Sequence, residues 1–248
     1  MARRAAEPRR IPFVPNTLKL FLLLVAIAAF IIVFRHGYVP TRYAPFAAVS
    51  LDEPSGFFLD WRIAQLADDR DACRRLFDAP QMSVRPVADR GTRPGCGWTN
   101  AFRVAEAGRV AIRPAMTMEC PLGAALSLWL EHGVQPAAKK HFGARVTAIR
   151  NVGGYSCRTI RGGLGKYFSI RSEHARANAI DIVGFRLSNG RTVSVLRGWP
   201  RADQPEGRFL RAVHAAACRY FRVTLGPEAN ALHRDHFHLD RGPLMSCR

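Results

Sequence analysis

Residues 231–240 read Ala231-Leu232-His233-Arg234-Asp235-His236-Phe237-His238-Leu239-Asp240, and three of the chain's eight histidines fall between positions 233 and 238. On a β-strand the side-chain period is two, so His236 and His238 share a face. Two imidazoles on one face suit a metal, a proton acceptor, or one of each. A lone histidine would more often be structural. A metal needs further ligands, and the best upstream source is Ser172-Glu173-His174-Ala175-Arg176-Ala177-Asn178-Ala179-Ile180-Asp181. His174 would close a loop there, and Asp181 would face inward from the strand that follows. Two histidines and one carboxylate leave an open position for water, as catalytic zinc sites do. Zinc would lower the pKa of that water to about 7 and polarise a carbonyl. The ligand set also admits iron and other metals.

The surroundings supply strands and helices for this pattern. Ala179 to Leu187 and Thr192 to Leu196 flank Ser188-Asn189-Gly190-Arg191, and Asn-Gly between apolar runs is a hairpin signal. Gly143 to Val152, Phe221 to Leu225 and Val110 to Arg113 also read as strands. Pro121 to Gly133 reads as a helix, with Pro121 in its first turn and Gly133 as its stop. Gly207 to Tyr220 and Trp61 to Phe77 read as amphipathic helices. Residues 80–100 read as loop with short strands. Gly162-Gly163-Leu164-Gly165 lacks the ending of a phosphate-binding loop and reads as a lid beside the site. His132, His141 and His214 read as structural. No internal repeat is visible. The element order predicts an α+β fold with an antiparallel sheet flanked by helices.

Ahead of this domain, Leu18 to Phe34 is apolar apart from Lys19, and at about 1.5 Å per residue it nearly spans a hydrocarbon core of about 30 Å. Arg3, Arg4, Arg9, Arg10 and Lys19 precede or open that run against Glu7 alone. The positive-inside rule then puts the tail in the cytoplasm and everything after Phe34 across the membrane. An uncleaved signal anchor is the favoured reading, with a peptide cleaved near Ala47-Ala48 as the alternative. Six cysteines, Cys73, Cys96, Cys120, Cys157, Cys218 and Cys247, all follow the apolar run. None forms a C-x-x-C pair, so three disulfides in an oxidising compartment are expected. Fifteen pairings are open, with Cys73–Cys96 favoured as a local staple.

The chain has 248 residues with 37 Lys+Arg against 19 Asp+Glu, a formal charge of +18. Removing the five basic residues and one acidic residue before Arg35 leaves 32 against 18, or +14. Such a charge fits an anionic wall polymer or membrane surface. Nucleic-acid binding is prompted by charge alone, since no helix-turn-helix, zinc finger or RNA-binding signature is present. The 48% hydrophobic content rules out general disorder.

Ser172-x-His174-x-x-Ala177-x-Ala179-x-Asp181 resembles the S-x-H-x-x-G-x-A-x-D signature of LAS-type zinc peptidases, and His236-x-His238 resembles their second motif. That group includes D-Ala-D-Ala carboxypeptidases and dipeptidases, MepA-type murein endopeptidases and the hedgehog fold. His233 to His238 is most similar to the murein endopeptidase version. The stretches CPLGAALSLWL, GGYSCR, SEHARANAIDI and HRDHFHLD resemble the bacterial extensin-like C-terminal family, over roughly Trp61 to Pro243. The resemblance implies zinc ligands His174, Asp181 and His238, with His236 as base and His233 close by. It also implies substrate contacts from Arg158, through a carboxylate, and from Ser172, unless Ser172 only caps the loop. Asp235 stands where most carboxypeptidase relatives have glutamate, and Ala177 stands where the signature has glycine, a strained choice if that backbone needs positive φ.

The expected organisation is a cytoplasmic tail (1–17), a signal anchor (18–34), a linker (35–58) and an extensin-like domain (59–248) with a LAS-like core at about 120–243. The expected function is a peptidase of the periplasmic face, anchored in the inner membrane, that cuts peptidoglycan stem peptides or cross-links. A wall-binding module that keeps the fold without catalysis is the alternative.

Overall fold

The computed structural model describes residues 15–35, 38–161 and 168–248. α1 (Asn16–Arg35) is apolar on every side. Over Asn16–Phe34 its mean hydropathy is 2.8 and none of it is buried, so by length and composition it can cross a membrane. Most of the basic tail, and the Gly162–Gly165 stretch, lie outside the described residues.

The domain begins with α2 (Leu59–Gln65) and α3 (Arg70–Phe77). β1 (Ser83–Pro86), β2 (Arg90–Arg93), β3 (Cys96–Trp98), β4 (Ala101–Ala107) and β5 (Val110–Glu119) follow. After α4 (Cys120–Trp129) and α5 (Gln135–Phe142) come β6 (Val146–Asn151), β7 (Ala179–Leu187) and β8 (Thr192–Ser194). The chain ends with α6 (Val195–Gly198), α7 (Pro205–Ala217), β9 (Val223–Leu225), β10 (Phe237–Asp240) and β11 (Ser246–Cys247). Among the described residues one sheet runs β1-β4-β5-β6-β7-β10-β9-β11, with β8 paired to β7, and β2 and β3 form a separate ribbon.

The α+β reading holds, and the sheet is mostly antiparallel. Two pairs, β5 with β6 and β9 with β11, are parallel. The first arises because the whole α4–α5 segment is a crossover, which a parallel pair requires. That helix does not stop at Gly133. It passes through a π-helical turn (Leu130–Val134) into α5 and ends at Gly143, whose φ of 61° forms a left-handed cap. Gly133 is a packing residue instead: a Cβ there would lie 3.0 Å from Ala216 and 3.1 Å from Trp129. The expected helix over 61–77 is broken in two, because Asp69 accepts a hydrogen bond from the Ala72 amide at 2.8 Å and starts α3 afresh. The Asn189-Gly190 hairpin forms as expected, with Gly190 at φ 84°.

The helices pack on one face of the sheet. Trp129, Phe185, Phe209 and Phe221 fill that layer, and Ile180, Ile182, Phe237 and Leu239 enter it from β7 and β10. The Trp129 indole nitrogen, buried there, donates to the Val213 carbonyl at 2.9 Å. Alternation along the strands turns Asp181 and His238 to the opposite face.

All six cysteines are paired, as Cys73–Cys120, Cys96–Cys157 and Cys218–Cys247. The expected Cys73–Cys96 staple is therefore wrong. Cys73 points from α3 into the core, where it meets the first residue of α4, whereas Cys96 rides on the separate β2–β3 ribbon. Closeness in sequence did not translate into closeness in space.

Residues 38–58, expected as an extended linker, lie against the domain. Arg62 from α2 is 4% exposed and donates to the carbonyls of Thr41 at 2.8 Å and Ala48 at 3.1 Å. A ring nitrogen of His132 meets the Leu51 carbonyl at 3.0 Å, and Ala44 and Leu51 are buried.

Asp60 ties the same helix to the C-terminal strands through ion pairs with Arg222 and the buried Arg241. Burial pushes its carboxyl up, but the hydrogen bond from Arg222 and the charge of Arg241 outweigh this and hold it below its usual value. A depressed carboxylate stabilises the fold fully above the unfolded value near pH 4, and the contribution fades as pH falls through the folded value. Asp60→Asn should cost about 1–2 kcal/mol at pH 7, less than a fully buried pair because the Asp60 side chain is 45% exposed. Urea unfolding at pH 7 and pH 3 should show the difference from wild type shrinking in acid. An undiminished difference would mean that packing, not charge, is at work.

Candidate metal centre

β7 and β10 pair antiparallel with His238 directly opposite Asp181. The facing side chains meet, with Nδ1 of His238 2.9 Å from Oδ1 of Asp181. His174 arrives from a 3-10 turn (Glu173–Arg176) laid over that face of the sheet. Its Nε2 lies 3.2 Å from Asp181 Oδ2 and 3.2 Å from His238 Nδ1. The three expected ligands therefore converge, and one donor atom from each falls in a mutually close set.

The far ring atoms are held as well. His174 Nδ1 donates to the Gly154 carbonyl at 2.7 Å, and His238 Nε2 donates to Asp240 Oδ2 at 2.9 Å. With both rings neutral, these outer bonds would turn the lone pairs of His174 Nε2 and His238 Nδ1 towards each other beside Asp181, a set that either a proton or a metal cation satisfies. Tetrahedral zinc with bonds of about 2.0–2.1 Å would have donors roughly 3.3 Å apart, close to the separations found. Carboxylate or carbonyl partners on the outer nitrogens are the usual support of metal-binding histidines. The donor set thus fits a divalent metal.

Electrostatics agree. Burial raises the Asp181 carboxyl, but hydrogen bonds from His174 and His238 outweigh it and hold the group far below the usual range. Burial lowers His238, yet Asp181 and Asp240 together push it up to about 9. The pocket therefore holds positive charge strongly.

His236 stands at the rim. Its Nε2 lies 3.7 Å from Asp181 Oδ1, while its Nδ1 donates to Asp235 Oδ1 at 2.8 Å. Asp235 thus orients the ring instead of entering the cluster. The His233 ring lies 5.2 Å from that of His236 and 5.8 Å from that of His238, and its Nδ1 is 2.9 Å from Asn230 Oδ1. Burial, followed by repulsion from His238 and His236, draws His233 down to about 4, so its ring is neutral at pH 7. Arg158 is half-buried, and its charge contributes to that lowering.

Ser172 is buried as the cap of the ligand turn, accepting from the His174 amide at 3.4 Å. Ala177 closes the turn at φ 55°, ψ 30°, so the positive φ that favours glycine is indeed required there. Glu173 accepts from Asn178 Nδ2 at 2.7 Å behind the turn. Asp240 and the Gly154 carbonyl went unnoticed in the sequence. The period of two does place Asp240 on the face of His238, whereas nothing in the sequence marks the carbonyl.

By fold and site this is a disulfide-braced α+β protein with a two-histidine, one-carboxylate cluster on its sheet. Its sequence matches the extensin-like protein C-terminus over residues 71–248. The chain belongs to that family. Neither the curated proteins nor the solved structures compared with it include a significant match.

Proposed function

We propose that the protein is a zinc-dependent peptidase acting on peptidoglycan stem peptides or cross-links, held in the inner membrane by α1 with its domain on the periplasmic side. The observation that carries the proposal is the convergence of His174, Asp181 and His238 with their outer partners Gly154 and Asp240. The likeness of the two motifs to LAS-type peptidases supports the choice of zinc and of peptide-bond hydrolysis. Zinc held by those three residues would acidify a water and polarise the carbonyl of the scissile bond.

The chain's own residues supply the rest. His236, oriented by Asp235, offers Nε2 beside Asp181 as the acceptor for the proton of the attacking water, and it can return that proton to the leaving amine. Neutral His233 lines the same rim without adding charge. Arg158, whose charge reaches His233, is the residue we assign to a stem-peptide carboxylate, as the family resemblance implies. Excess positive charge over the exported part favours encounter with the anionic wall.

Full-length protein in detergent, loaded with zinc, should shorten isolated muropeptides. His236→Ala should lower the rate by about 100-fold or more while retaining one zinc per chain. Stoichiometric zinc with identical muropeptide profiles from wild type and variant would defeat the enzyme reading and leave a wall-binding module.

A further inference from the structure

α1 ends at Arg35, and the described chain resumes at Tyr38, whose amide donates to the Val33 carbonyl at 3.2 Å. Within the next 25 residues several large aromatic side chains face outward. Phe46 and Phe57 are each 83% exposed and Trp61 is 41% exposed. Phe46 meets Trp61 edge-on at 5.5 Å, and Phe57 and Phe58 form a second edge-on pair at 4.9 Å just before α2. Arg42 lies over the ring of Tyr43 at 4.9 Å.

Beneath Phe46 and Trp61 a groove of about 610 Å³ opens between residues 45–52 and the helices α2 and α3. A water-facing domain seldom leaves aromatic side chains clustered this way. Rings mixed with arginine are instead what the headgroup layer of a bilayer accepts.

The segment is not a loose tether. Arg62 clamps the Thr41 and Ala48 carbonyls, and Leu51 is buried in the domain core. Phe46 therefore moves with the domain. A short connection from a membrane span also keeps this face beside the lipid at high effective concentration.

We infer that Phe46, Phe57 and Trp61 form a docking face for the phospholipid headgroup–acyl boundary, which seats the domain on the membrane that α1 crosses. This rests on the reading of α1 as a membrane span. Docking would hold the metal cleft at one height and orientation above the bilayer, and so restrict it to substrate near the membrane.

The test reconstitutes the full chain into vesicles of phosphatidylethanolamine and phosphatidylglycerol, with and without lipids brominated high on the acyl chain. Trp61→Phe isolates the emission of that residue from the three other tryptophans. The brominated lipid should reduce the Trp61 contribution at least twofold, and aqueous iodide should lose most of its access to the ring. Phe46→Ser combined with Phe57→Ser should restore iodide access while the protein still floats with the vesicles. Flotation with Trp61 untouched by brominated lipid overturns docking and leaves the anchor standing. A Trp61 shielded from iodide but insensitive to brominated lipid assigns the face to a second copy or another protein, which also overturns it. Failure to float rejects the anchor and the docking together.

Discussion

Replacing Asp181 with asparagine is expected to lower zinc affinity by at least about a hundredfold. Outer-partner changes at metal sites already cost 10–100-fold, and Asp181 is the one carboxylate of the converging set. The asparagine side chain keeps the shape but removes the negative charge that both His174 and His238 face. Competition with a chelator of known affinity measures the loss, and metal content after dialysis reports it independently. Asp240→Asn should act more mildly, within the 10–100-fold range, because it only releases the outer nitrogen of His238. If Asp181→Asn binds zinc as tightly as wild type, the metal is held elsewhere.

The second large effect concerns the core. Changing Cys73 and Cys120 together to alanine opens a loop of 47 residues. Chain entropy alone puts the loss at about 4 kcal/mol. For a domain of this size that corresponds to a fall in Tm of roughly 8–16 °C. Both half-cystines are fully buried, so lost packing adds to the loss and does not offset it. Calorimetry of the double variant under oxidising conditions, with the other two bridges intact, reads the shift. A change below about 2 °C would mean that noncovalent packing between α3 and α4 carries the junction.

The candidate site was legible because it obeys a short period. His238 on β10 and Asp181 on its neighbour needed only alternation, and the observed register sets them opposite each other. His236, expected on the same strand, instead falls in the bend before β10 and reaches the rim from there. Ala177 was legible as a strained position, and the loop requires its positive φ. The Asn189-Gly190 turn announced itself by chemistry. What stayed hidden depended on distant packing. β4 was missed because its alternation, regular over Phe102, Arg103 and Val104, breaks at a register shift before Glu106. Gly133 looked like a helix stop, yet its missing side chain makes room for Trp129 and Ala216. Arg62 lies in a stretch legible only as an amphipathic helix, and the fold alone shows its guanidinium reaching back to residues 41 and 48. Cysteine pairing is a property of space, so the nearest cysteine in sequence was the wrong partner for Cys73.

The three bridges have a consequence for a nicked chain. The spans Cys73–Cys120 and Cys96–Cys157 interleave, so one backbone cut anywhere between Cys73 and Cys157 leaves the polypeptide in one covalent piece. The same holds between Cys218 and Cys247. From Cys157 to Cys218 no bridge spans a cut. That interval contains His174 and Asp181, while His238 lies beyond it. For a break between Asp181 and Cys218, an ion shared by the three ligands would be the one bonded cross-brace between the two fragments.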